Sequence, residues 1–208
     1  MFHTARLLVT TATLVVATVA PTTQSHHGIS ATPKVTLIGF STSQRQLVFH
    51  ALELFEEAGL PLPAITLRRH DDTSACHEAE GWHSVVGENS IIDLCTSGSE
   101  EWEQRTIIHE LAHAWSFHYL SSSRRDTFQR VRGWSAWLDY TRAEWEDNGA
   151  EQAAEIVVWA LSDQAVPLLK IADQGCSELR AGYLALTGRE PLNGLTDLCD
   201  AVVVVHRS

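Results

Sequence analysis

Hydrophobic positions change period three times along the chain. Lys34–Phe40 is a short apolar run with β-branched residues, which predicts a strand. From Gln44 to Ala58 apolar residues fall at 47, 48, 51, 52, 54, 55 and 58, a helical spacing that Gly59 ends. Ser41–Ser43 supply candidate N-caps. Pro61 and Pro63 mark a turn, and Ala64–Arg69 alternates as a strand does. Residues 70–81 are polar and predict a loop. Trp82–Val86 and Ser90–Cys95 then flank Gly87-Glu88-Asn89, the pattern of a hairpin.

Beyond this point the period is helical. Ser97-Gly98-Ser99 opens a helix over about Glu100–Tyr119, with Glu100, Glu101 and Glu103 favourably placed near its positive end. Further helices are predicted over 124–132, 135–146, 150–163 and 176–186, and no internal repeat is present. Strands first and helices after predict an α+β domain, with a small N-terminal sheet packed on a helical half.

The first 32 residues stand apart. His3 and Arg6 precede an apolar stretch, Leu7–Ala20, that is short and diluted by threonines. These lengths match a secretory signal better than a membrane span, and Ala17-Thr18-Val19-Ala20 resembles a cleavage site. An uncleaved anchor is the alternative. The expected organisation is a leader over 1–32 and one domain over 33–208. Four cysteines on an exported chain favour disulfides, and pairing Cys76 with Cys95 and Cys176 with Cys199 closes two compact segments. With Lys and Arg totalling 15 and a net charge of -11, the chain lacks the basic surplus that nucleic-acid binding needs.

The chemistry centres on His109-Glu110-Leu111-Ala112-His113, an HExxH sequence. Residues four apart lie about 40° apart around a helix, so both imidazoles can face one metal ion. Glu110 sits about 100° from His109, where it can reach a water at an open coordination place instead of binding the metal. Zinc brings the pKa of such a water towards about 7, and Glu110 is the base that takes its proton.

A catalytic zinc needs a third protein ligand. His118, Glu151 and Glu155 are the candidates. His118 lies about 140° around the helix from His113, and the segment HELAHAWSFH lacks the Gly and His that a three-histidine HExxHxxGxxH site requires. Glu151 and Glu155 lie four apart on an apolar helix whose small residues at 150, 153 and 154 admit a close neighbour. Burying two carboxylates is costly without partners, so one could bind the metal while the other orients an imidazole. HELAH on one helix, followed by a second helix with Glu-x-x-x-Glu, resembles the gluzincin group of zinc metallopeptidases, especially short exported bacterial members. That resemblance implies a minimal zincin domain, Glu151 as third ligand and Glu155 as the residue supporting a ligand histidine.

Hydrolysis of an amide also calls for a donor to the developing oxyanion. Tyr119, Tyr140, Tyr183 and Arg180 are candidates, with Tyr183 favoured. Trp134, Trp137 and Trp145, between the two candidate metal helices, read as core packing before they read as a cleft wall. Arg124, Arg125, Arg130 and Arg132 read as a solvated helix face, and His26, His27, His70, His77 and His83 as loop or surface residues. The expectation is an exported zinc peptidase acting on a peptide or protein, without stable membrane insertion once the leader is removed. A zinc-stabilised binding protein without turnover is the alternative.

Overall fold

The computed structural model describes residues 33–95, 98–134, 136–138, 148–162 and 175–192. Strand β1 (Val35–Ile38) leads through helix α1 (Thr42–Glu57) to β2 (Ala64–Arg69), and a loop with one 3-10 turn (Ser74–Cys76) leads on to β3 (Gly81–Val86) and β4 (Asn89–Leu94). Helices α2 (Glu100–Tyr119), α3 (Ser122–Arg132), α4 (Gly149–Leu161) and α5 (Cys176–Thr187) follow. This is the expected α+β order. The sheet runs β1-β2-β4-β3, with β1, β2 and β4 parallel and β3 antiparallel along the β4 edge.

Local signals account for most of the boundaries. Ser41 and Gln44 form a reciprocal capping box at the start of α1. Ser99 and Asn148 accept backbone N–H bonds at the starts of α2 and α4, each cap worth about 1 kcal/mol. Gly87, at φ 64°, takes the first place of a two-residue hairpin turn, so Asn89 joins β4 instead of the expected turn. One expectation differs: the helix predicted over 135–146 does not extend through 136–138, which are irregular, and most of its remaining span lies outside the described residues. Here Trp137 accepts the Ala150 N–H through its carbonyl (2.9 Å) at the start of α4, so its backbone is engaged outside a helix.

One sheet face carries Ile65, Leu67, Ile92 and Leu94 and packs on α1 and α2, including Val48, Phe55, Ile107 and Leu111. The opposite face carries an Arg68–Asp93 ion pair, with Ile38, Trp82 and Val86 exposed. α2 is the central helix. The sheet and α1 lie against it, and α4 packs along it through Ala153 and Ala154. Such a helix is enclosed on nearly every side, which is why its polar residues from Glu103 to Glu110 are buried. Cys76 and Cys95 form a disulfide that ties the loop to the end of β4. Cys199 lies outside the described residues, as do residues 1–32, where the leader was expected. No helix among the described residues is long and apolar enough to cross a membrane.

Candidate metal centre

α2 and α4 bring three expected residues to one point. His109 Nε2 lies 3.0 Å from Glu151 Oε2, His113 Nε2 lies 3.2 Å from the same oxygen, and the two imidazole nitrogens are 3.1 Å apart. His109, His113 and Glu151 form the group among the described residues that could hold a metal ion. Two helical features make this possible. The i, i+4 spacing stacks the histidines on one face of α2. The alanines of α4 let its first turn approach close enough for a carboxylate to reach them.

Glu155, one turn further along α4, is 0% exposed and acts on the other side of His109. Its Oε1 lies 2.8 Å from His109 Nδ1 and also accepts from the Arg105 guanidinium. Arg105 stacks over the Trp102 ring at 5.0 Å. A carboxylate on Nδ1 holds the ring so that Nε2 faces Glu151 and His113. Burial disfavours a charged His109, but its bonds to Glu151 and Glu155 outweigh that and hold the imidazole up at about 10. Glu151 is partly buried too, yet the two histidines hold its carboxyl well below the usual range.

Glu110 lies beside this group without belonging to it. It is buried on α2, and burial raises its carboxyl above the usual range against the pull of His113 and His109. Its carboxylate rests against β3 at Gly81.

Tyr183 is buried. It is fully enclosed in the helical core with Phe128, Leu179 and Leu186. Burial pushes its hydroxyl up to about 12, against the lowering influence of Thr187 and Arg189 beside it. A hydroxyl enclosed in the core is shielded from an incoming substrate carbonyl, so nothing in its setting supports the expected oxyanion role. Arg180 is engaged with Glu190 at the surface, Tyr119 is exposed at the end of α2, and Tyr140 lies outside the described residues. Trp137 is partly buried between Phe128 and Arg125, as core packing requires.

His83, expected as a loop or surface residue, instead borders the site. Its ring lies nearly parallel to that of His113, with centroids 6.3 Å apart. Burial, helped by His113 and His118, pushes the His83 imidazole down to about 3. Its Nε2 lies 2.9 Å from the buried Ser90 hydroxyl, whose oxygen is 3.2 Å from His118 Nε2. His118 is therefore a neighbour of the site and not a member of the convergent group. Strand alternation carried a usable signal, since it puts Gly81 and His83 on one face and Trp82 on the other. Arg105 carried another, one helical turn before His109.

Compared with models of known protein families, with curated proteins and with solved structures, the chain gives no match. The fold and the site therefore define the class alone: an α+β domain with a two-histidine, one-glutamate group able to hold a metal ion.

Proposed function

We propose that the chain is an exported zinc-dependent peptidase of gluzincin-like design. The observation that carries this reading is the triangle of His109 Nε2, His113 Nε2 and Glu151 Oε2, with sides of 3.0–3.2 Å. Ligand atoms about 2.0–2.1 Å from a tetrahedral zinc stand about 3.3 Å apart, so this donor set fits the ion closely. Three protein ligands of this composition leave one place open, the arrangement of a catalytic site and not of a closed structural one.

Zinc held there would supply a Lewis acid that makes water acidic near neutral pH. Glu110 accepts the proton of the attacking water and delivers it to the departing amine. Its buried setting raises its pKa, which suits a group that must both take and return a proton. Glu155 and Arg105 keep His109 in the orientation that points Nε2 at the site. The Cys76–Cys95 disulfide supports an oxidising, extracytoplasmic location, in keeping with the apolar leader.

The test is hydrolysis of a quenched peptide library by the zinc-loaded full chain and its Glu110→Gln variant. The variant should keep one zinc and lose hydrolysis by about 100-fold to 10,000-fold. Zinc retention with no turnover by either protein would favour the non-catalytic, zinc-stabilised alternative.

A further inference from the structure

β3 lays alternate residues on α2, and its first residue is a glycine set against Glu110. A Cβ at position 81 would stand 2.5 Å from Glu110 Oε1, 2.7 Å from its Cγ and 2.8 Å from its Cδ. Non-bonded carbons rest at about 3.5–4.0 Å, so the strand and this carboxylate can share the space only if residue 81 has no side chain.

Nothing in the backbone asks for glycine there. Gly81 is not among the residues with positive φ, and it sits within a regular strand opposite Leu94. Glycine in such a place weakens a strand, because it loses more conformational freedom on folding and packs nothing. The neighbouring chain is also pinned. The Glu80 carbonyl accepts from Cys95 N–H (2.8 Å), Cys95 is held by the disulfide, and the Glu80 carboxylate accepts from Trp102 Nε1 (2.7 Å). If a side chain is added at 81, the strand is tied at its base and Glu110 is the part that must move.

We propose that Gly81 is a positioning residue for Glu110: the missing side chain opens a slot in the strand that fixes the carboxylate beside the His109–His113–Glu151 group. The catalytic consequence rests on Glu110 being the base, whereas the slot itself does not.

The experiment is a double-mutant cycle on the full chain, read first by Tm in the metal-free state. With Glu110 present, Gly81→Ala should lower Tm by about 4 °C or more. In the Glu110→Ala background the same change should leave Tm unchanged or raise it, because the clash is gone and only the better strand residue remains. Equal losses in the two backgrounds would overturn the proposal. Should Gly81→Ala not fold alone, folding of Gly81→Ala with Glu110→Ala supports the slot, and failure of both overturns it. The second reading is kinetic. Zinc content should hold while kcat falls by about 100-fold and KM stays within about twofold. An unchanged kcat would also overturn the proposal. If the wild-type chain hydrolyses nothing, the peptidase reading fails and the stability cycle still decides the role of Gly81.

Discussion

Two clusters in this molecule join histidine to buried carboxylate, and they differ in how donors and acceptors are matched. On the outer sheet face, Asp93 accepts two bonds from Arg68 (2.7 and 2.6 Å) and lies 2.6 Å from His70 Nε2. A carboxylate there meets a guanidinium and an imidazole, and every close contact has a proton available to it. Between α2 and α4, Glu151 faces two imidazole nitrogens that also face each other. Those three atoms make three mutual contacts but carry at most two protons, so the contacts cannot all be hydrogen bonds. The first cluster is complete as an ion pair, while the second is a group that could hold a cation at its centre. Residue type alone does not mark a candidate metal site; ligand atoms converging on one point do.

Loss of one of the three convergent side chains should separate the two clusters most sharply. His113→Ala or Glu151→Ala should weaken zinc binding by more than about 100-fold, beyond the loss expected from a supporting residue. Chelator titration would measure it, and near-native affinity in either variant would remove the distinction between the two clusters. Glu155→Gln comes next. It keeps an acceptor near His109 but gives up the charge that also holds Arg105, so affinity should fall by about 10–100-fold.

Metal removal should lower Tm by about 5–10 °C when free zinc had stood near 100 times its Kd, and restoring zinc should restore it. The smallest effect belongs to the sheet. Asp93→Asn should leave zinc binding intact and lower Tm by about 2–6 °C near neutral pH. Burial works to raise the Asp93 carboxyl, but bonds and charge from Arg68 and His70 outweigh it and hold it below 3.8. Its contribution is therefore complete above the unfolded value and is lost as pH falls through the lower, folded one. Plots of Tm against pH for the wild type and Asp93→Asn should converge below about pH 3.8 and separate above it.

Much of the local structure was legible before the fold was seen. Periodicity located α2 and β2 at their observed bounds, because caps and apolar spacing act within a few residues. The pair His109 and His113 was legible for the same reason. Assigning Glu151 to the metal and Glu155 to His109 needed the resemblance, since two carboxylates four apart look alike until the approach of α2 is known. Arg105, His83 and Gly81 were missed because their meaning depends on elements distant in sequence. Arg105 is an ordinary helical arginine until α4 brings Glu155 to it, and Gly81 is a weak strand residue until α2 puts Glu110 in its place. Tyr183 shows the opposite limit, a plausible residue type on a helix that buries it.

The α2–α4 triangle is tested most directly by the zinc content of the purified full chain beside His113→Ala and Asp93→Asn. One zinc per chain in the wild type and in Asp93→Asn, with none retained by His113→Ala, is the predicted result. A chain that takes up no zinc, or one whose zinc content is unchanged by His113→Ala while its fold persists, would contradict it.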